Sequence, residues 1–437
     1  MGKYQGYDKY KDSGVEWLGE IPQHWKSLKI KRLTVIKRGA SPRPIDDPKY
    51  FDDDGEYAWV RIADVTASER YLQTTTQKLS ELGKSFSVPL EPGQLFLSIA
   101  GSVGKPIITK IKCCIHDGFV YFPDLKVNQE FIYYIFYSGQ PYLGLGKMGT
   151  QLNLNTETVG GITIGFPPLE EQEKIARFLD YKTKQIDELI AKKETLIEKL
   201  DEKRTALISH AVTKGLDVNV PMKDSGIEWL GDIPKHWEKS QLGYLATVKA
   251  RLGWKGLTAQ EYVDEGYIFL ATPNIKQEGD IDFQNVNYIT AERYFESPEI
   301  MLEENDVLLV KDGSTLGIVN IVRKLPSPST VNSSIAVIRI TKKLYSKFLF
   351  RWLTGSYIQS LIQLMKGGQG VPHLFQADIK KFFVVVPPLH EQQKIAEYLD
   401  KKTAQIDEQK TKIQQAIDLL KEYRTALITN AVTGKID

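Results

Sequence analysis

Cysteine is nearly absent: the only two, Cys113 and Cys114, are neighbours in the chain. Adjacent cysteines rarely bridge each other, so no disulfide framework is expected, and two thiols cannot build a cysteine-based zinc site. The six histidines are scattered and show no metal-ligand spacing. No run approaches the ~18 apolar residues of a membrane span. The opening stretch, MGKYQGYDKYKDSG, is polar and lacks the apolar core of a secretory leader. Charge of one sign is missing too, since a net +2 favours no class of partner. These absences predict a protein of the reducing cytoplasm, with small buried thiols, no metal and no membrane contact.

What is present is repetition. KDSGVEWLGEIPQHW at 11–25 returns as KDSGIEWLGDIPKHW at 223–237, with 12 of 15 positions identical. PPLEEQEKIARFLD at 167–180 returns as PPLHEQQKIAEYLD at 387–400, with 10 of 14 identical. RTALISHAVTKGLD at 204–217 returns as RTALITNAVTGKID at 424–437, with 9 of 14 identical. The order is a tag, a variable body and a long polar-apolar stretch, then the same again. Two long units are not a solenoid, which needs several short stacked ones. They predict one object with an internal pseudo-twofold repeat.

The stretches after each Pro-Pro read as helices. From Leu169 to His210 there is no Gly or Pro, and Glu170, Glu171 and Glu173 stand where acids favour a helix start. Gly215 and Gly434 look like stop signals. Ile175, Leu179, Lys182, Ile186, Leu189, Lys193, Leu196, Leu200, Lys203 and Leu207 alternate by fours and threes, a heptad seam. Adding 220 gives Ile395, Leu399, Lys402, Ile406, Gln409, Ile413, Ala416, Leu420, Tyr423 and Leu427. Lys193 in one copy faces Ile413 in the other, and Leu189 faces Gln409, an exchange that suits two helices packed on each other. The alternative is two amphipathic helices, each packed on its own body.

The bodies, 26–166 and 238–386, share punctuation more than identity. Each has a basic glycine-bearing loop (IKRGASPRP, VKARLGWKG), then an aromatic strand before a polar turn (YAWVRIADV, YIFLATPNI). An apolar strand and small-residue loop follow (EPGQLFLSIAGSVGK, ENDVLLVKDGSTLG), then an aromatic helix (FIYYIFYSG, FLFRWLTGS). A glycine-rich polar loop closes each body (GKMGTQLNLN, KGGQGVPHLF). This predicts the α+β class, with one scaffold carrying two sets of loops. The aromatic stretches follow element periodicity and read as core. GSVGK at 101–105 fails the phosphate-loop pattern, and its second copy has no lysine, so a tight turn is expected. DPKY at 47–50 matches a methyltransferase tetrapeptide at three of four places, but no glycine-rich cofactor loop precedes it. No catalytic residue is expected in the chain.

The duplicated set of three phrases resembles the DNA-specificity (S) subunit of type I restriction–modification enzymes over essentially the whole chain. The resemblance implies target recognition domains at 1–166 and 216–386. It also implies spacer helices at 167–215 and 387–437, paired as antiparallel coiled coils. Each body would read one half of a bipartite, gapped DNA site, with helix length fixing the gap. At ~1.5 Å per residue, about 40 residues span roughly 60 Å, the order of two duplex turns of ~34–36 Å each. Further implied partners are two adenine-N6 methyltransferase subunits and restriction/translocase subunits. Those partners would use S-adenosylmethionine, Mg²⁺ and ATP, and this chain would hold no cofactor.

Charge supports DNA binding only weakly, with 17 basic against 14 acidic residues in the first body and 17 against 15 in the second. The expected base or phosphate contacts are Arg38, Arg43, Arg61, Lys105, Lys147, Gln151 and Asn153 in the first body. In the second they are Lys249, Arg251, Lys255, Asn274, Lys311, Lys366, Gln369 and His373. Arg and Lys suit guanine, Gln and Asn suit adenine. Glu171, Gln172, Ile175, Glu391, Gln392 and Ile395 are expected methyltransferase contacts, the alternative being helix capping and core packing. Arg204 and Arg424 are expected to bind the last helical turn or a neighbouring domain. A competing class of function is a protein–protein scaffold with two peptide-binding bodies and no DNA contact. A self-contained methyltransferase is a third, opposed by the missing cofactor loop.

Overall fold

A computed structural model describes residues 4–143, 145, 154–251, 257–365 and 373–436. The chain divides into two compact units, residues 1–193 with 415–437, and residues 194–414. Each body therefore shares its unit with the start of one long helix and the end of the other.

In the first unit the tag forms a small antiparallel hairpin, Tyr10–Asp12 against Glu20–Pro22. The body's first strand, Lys26–Lys29, pairs antiparallel with its last, Thr163–Phe166, so the body begins and ends side by side. Between them lie two sheets. One runs in the order Lys37–Arg38, Phe119–Tyr121, Leu95–Ser98, Pro106–Thr109, Tyr71–Leu72; the other runs Gln77–Leu79, Tyr57–Val60, Cys113–Ile115, Val88–Leu90. Both sheets mix parallel and antiparallel neighbours. Their facing residues, among them Phe96, Ile107 and Phe119 from one and Ala58, Val60 and Ile115 from the other, make a core.

Strand alternation explains the paired cysteines. Cys113 points into that core, while Cys114 points to the opposite face with Trp59 and Leu79. Burial pushes both thiols up to about 12, so neither is a ready nucleophile. The polar turn expected after the aromatic strand is instead a helix, Ile62–Ala67, whose first backbone amide is capped by Asp64. The aromatic helix, Gln129–Tyr137, is core: Phe131, Ile132, Tyr133, Tyr134, Ile135 and Phe136 are all buried.

The second unit repeats the plan. Its hairpin is Met222–Asp224 against Asp232–Pro234, and Glu238–Gln241 pairs with Phe383–Val386. Its sheets run Ala246–Lys249, Ile335–Ile340, Val307–Val310, Val319–Ile321, and Asn287–Ile289, Tyr267–Leu270, Ser329–Val331. The helix Ser346–Thr354 buries Phe348, Leu349, Phe350 and Trp352.

The long helices span Leu169–Lys214 and Leu389–Val432, and each stops at a glycine of positive φ, Gly215 (80°) and Gly434 (70°). At ~1.5 Å per residue, each is about 65–70 Å long. Their buried stripe is a heptad that keeps most of the expected seam and departs from it at Leu189 and Leu196. In the first helix the buried residues include Gln172, Ile175, Ala176, Leu179, Thr183, Ile186, Ile190 and Leu200, and in the second Gln392, Ile395, Ala396, Leu399, Thr403, Ile406, Ile417 and Leu427. Leu179, Ile186, Leu200, Leu399, Ile406 and Leu427 lie on the stripe as expected, and Ile413 and Leu420 are half-buried on it. Leu189 and Leu196 are 43% and 48% exposed. The stripe takes their neighbours Ile190 and Ile197 instead. A heptad admits either choice where two apolar residues adjoin, and packing against the bodies selects the buried threonines Thr183 and Thr403 over Lys182 and Lys402.

Candidate nucleic-acid interface

Behind any reading surface there must be a rigid frame, and here it is built twice from the duplicated phrases. Trp25 is fully buried and its indole N–H donates to Glu171 Oε1 at 2.7 Å. Trp237 is fully buried and donates to Glu391 Oε2 at 3.0 Å. His24 and His236 sit 2.8 Å from the same two carboxylates. Each tryptophan also packs at the far end of the other long helix. A side chain at Gly434 would press on Pro22 and Trp25, and one at Gly215 would press on Trp237. The tag thus ties the start of one helix to the end of the other.

The next residue of each phrase does a second job. Gln172 donates to Pro167 O at 2.8 Å and accepts from Asn128 N at 2.9 Å. Gln392 donates to Pro387 O at 2.8 Å and accepts from Tyr345 N at 2.9 Å. Both glutamines are buried, as are Ile175 and Ile395. The six residues expected to meet a methyltransferase are therefore engaged inside their own unit, in capping and packing. Burial of the glutamines and isoleucines leaves them no face to offer.

The aspartate ending each phrase, which the sequence reading passed over, docks the aromatic helix. Asp180 accepts from Tyr134 at 2.7 Å and pairs with Arg70. Asp400 accepts from Arg351 at 2.8 Å and from Lys347 at 3.1 Å. Burial alone would raise the Asp400 carboxyl, but the bonds from Arg351 and Lys347 outweigh it and hold it below its ordinary value. Repetition of the aspartate was the signal that could have found it.

Of the two alternatives expected for Arg204 and Arg424, each takes the neighbouring body rather than the last helical turn, and each also grips the other long helix. Arg204 forks onto Asp407 at 2.6 and 3.1 Å and reaches Glu278 at 3.2 Å. Lys410 joins Asp201 (2.7 Å) to Glu278 (2.9 Å). In the other unit Arg424 forks onto Asp187 at 2.9 and 3.2 Å, with the Tyr137 hydroxyl 2.9 Å away. Within the second unit rising numbers on one helix meet falling numbers on the other, so the helices run antiparallel there.

The loops differ between bodies. In the first, Gly39 lets the basic loop lie against the turn at 115–119, since a Cβ at 39 would stand 2.2 Å from His116 O. Ala40 N donates to Ile115 O at 3.1 Å and Gly39 N to Phe119 O at 2.9 Å. Arg38 and Arg43 then close on Asp117, the first through its backbone carbonyl, the second at 3.2 Å from Oδ2. Ser41 donates to Asp117 Oδ1 at 3.1 Å. Beside them, Gly118 N donates to His116 Nδ1 at 2.8 Å. Burial, with Arg38 and Arg61 nearby, lowers the His116 pKa against the pull of Asp117. Arg61 is exposed and precedes the helix Ile62–Ala67, while Lys105 donates to Thr66 O on that helix at 3.1 Å. Partial burial lowers the Lys105 pKa. The loop carrying it is a tight turn, with Gly101 and Gly104 at positive φ. Arg38 and Arg43 thus meet at Asp117, while Lys105 lies against the helix that Arg61 precedes.

The second body is less uniform. Lys249 is exposed. His373 is half-exposed against Asp312 Oδ1, and Lys311 reaches Asp312 Oδ2 at 2.9 Å. Arg251 and Asn274 are interior, which corrects their reading as base contacts. Arg251 lies over the Phe269 ring and reaches Ser297 Oγ at 3.3 Å, and burial pushes its pKa down. Asn274 knits three backbone groups, at Ala271, Asp282 and Asn285. Lys311 is nearly buried as well. Lys147, Gln151, Asn153, Lys255, Lys366 and Gln369 lie outside the described residues. The acids Asp117 and Asp312 were missed because Arg38, Ser41 and Arg43, which meet the one, and His373, which meets the other, are distant in sequence.

Among the described residues no helix is long and apolar enough to cross a membrane. The family model described as "Type I restriction modification DNA specificity domain" matches the chain twice, over residues 22–199 and 234–418. The chain is 25% identical over 451 residues to the type I restriction enzyme MjaIX specificity subunit of Methanocaldococcus jannaschii, covering all of this chain and 98% of that one. It is 23% identical to the MjaVIII specificity subunit of the same organism, covering 95% and 94%. With the EcoKI specificity subunit of Escherichia coli it shares 26% over 208 residues, covering 47% of this chain and 44% of that one. In fold it is similar to a chain solved in work on the assembly and conformational transition of the type I R-M system, with TM-score 0.72 and 14% identity, covering 94% and 98%. It is also similar to the HsdS subunit from Thermoanaerobacter tengcongensis, with TM-score 0.54 and 17% identity, covering 95% and 98%.

Proposed function

The chain belongs to the type I restriction–modification DNA specificity family, and from that premise we propose that each of its two bodies reads one half of a bipartite, gapped duplex site. Its role in such a system is DNA sequence recognition, and it is not itself the enzyme. The observation that carries the two-half reading is the contrast within the chain. Frame contacts recur pair for pair, from Trp25–Glu171 and Trp237–Glu391 to the two buried glutamines, while the basic loops do not.

A repeated frame suits two identical adenine-N6 methyltransferase subunits. Divergent loops suit two different half-sites. The chemistry, with S-adenosylmethionine, Mg²⁺ and ATP, belongs to those subunits and to restriction/translocase subunits, because the flipped adenine must enter a methyltransferase pocket. The long helices set the gap. With so small a basic excess, the isolated chain binds DNA weakly and gains phosphate contacts from its partners.

The test is long-read methylation mapping of DNA from cells expressing this chain with its cognate methyltransferase subunits. A two-part motif with N6-methyladenine in each half, lost when the chain is omitted, is the expected result. An active methyltransferase giving no chain-dependent motif would overturn the reading in favour of a peptide-binding scaffold.

A further inference from the structure

A carboxylate within a basic DNA-facing cluster is repelled by phosphate, so its presence calls for a reason. Asp117 is such a group. Arg38, Ser41 and Arg43 of the loop all bond to it, and Gly39 is the residue that allows the loop so close. The Arg43 side chain is 70% exposed, so its pair with Asp117 is solvent-screened and readily exchanged.

We propose that Asp117 is a specificity-determining positioning residue of the first body, holding the Arg43 guanidinium for a guanine edge rather than for phosphate. The proposal rests on the DNA-reading function above. A guanidinium tethered to a neighbouring carboxylate samples fewer rotamers and loses less freedom when it forks onto guanine O6 and N7. The neighbouring negative charge meanwhile disfavours an approach through the phosphates alone. The turn has a counterpart in the second body, where Asn332 Oδ1 takes the place of His116 Nδ1, accepting from Ser334 N at 3.1 Å. The position matching Asp117 there is Ser333. The device therefore acts on one half-site only.

The experiment is methylation mapping with the whole complex carrying Asp117→Asn, Arg43→Lys, or both. Each single variant is expected to relax the same base pair of one half-site about tenfold or more, leaving the other half intact. The double variant should be no worse than the worse single one. An unchanged motif in Asp117→Asn beside a relaxed one in Arg43→Lys overturns the proposal while sparing the function. Relaxation at different base pairs, or additive effects, overturns it too. If neither variant changes the motif, the assignment of this face falls with it. Absence of any wild-type motif sinks the underlying reading instead. Should a lowered melting midpoint show that Asp117→Asn unfolds the body, Ser41→Ala, which frees one Asp117 oxygen, makes the same comparison. It must relax the same base pair, and an intact motif there refutes the proposal.

Discussion

The two tags and the two reading faces answer differently to the same duplication. At the tags, copies far apart in sequence keep the same atoms in the same bonds. Trp25 and Trp237 each join a glutamate at one helix start to a glycine at the other helix end. At the faces, Arg38, Ser41 and Arg43 surround Asp117 in one body, whereas Lys311 and His373 hold Asp312 in the other. The equivalent position on the aromatic helix shows both behaviours. Tyr134 and Arg351 differ in chemistry, yet each binds the aspartate and the threonine of its long helix, Asp180 with Thr183 and Asp400 with Thr403. Geometry is retained where both units do one job, and chemistry is free to change where only the geometry matters or where the targets differ.

The sharpest way to break this comparison is at the tryptophans. Trp25→Ala and Trp237→Ala each leave a cavity and take one hydrogen bond from a glutamate that keeps its histidine, and each should cost about 3–5 kcal/mol in chemical denaturation. Clearly unequal losses would deny the two tags the same weight. Gln172→Leu and Gln392→Leu come next. Each strands a backbone N–H and a proline carbonyl and should cost about 1–3 kcal/mol in the same measurement, with Gln392→Leu the costlier because it also strands the Lys343 carbonyl.

A smaller effect separates the units by pH. The Asp400 carboxyl lies below its ordinary value of 3.8 in the folded chain. Its contribution is present above the unfolded value and is lost as pH falls through the folded one. Asp400→Asn should therefore lower stability at neutral pH, and its deficit should shrink below pH 3.8. A deficit constant down through the acid range would refute this origin. The smallest effect is expected at the exposed helix positions. Leu196→Gln should stay within about 0.5 kcal/mol of wild type, while Ile186→Ala, on the stripe, should cost about 2–5 kcal/mol. A costly Leu196 would restore the seam first expected.

Much was legible because duplication is a signal that needs no alignment. The repeated phrases marked the tags, the helix starts and the helix ends, and the punctuation of the bodies marked one strand in each of their larger sheets, Tyr57–Val60 and Leu95–Ser98 in the first body and Tyr267–Leu270 and Val307–Val310 in the second. The heptad was legible as a period but not as a phase. Leu189–Ile190 and Leu196–Ile197 are both apolar, and only the packing of the folded chain decides which of each pair turns inward. The interface was harder. Composition and loop position selected Arg38 and Arg43, which do come together at Asp117, but also Arg251 and Asn274, which do not reach the surface. A basic or amide side chain beside a glycine looks the same in sequence whether it faces solvent or an aromatic ring.

The sequence by itself determined the repeat, the α+β class, the two long helices and the absence of a catalytic motif, because each is written in local spacing or in words used twice. Only the tertiary structure decided that the duplicated glutamates and glutamines bind the chain's own tags and bodies. It alone brought Asp117 between two arginines more than 70 residues away in sequence. Such contacts depend on which strands the sheets set side by side, and pairing over that separation is fixed by the packing of the whole unit rather than by any residue's neighbours.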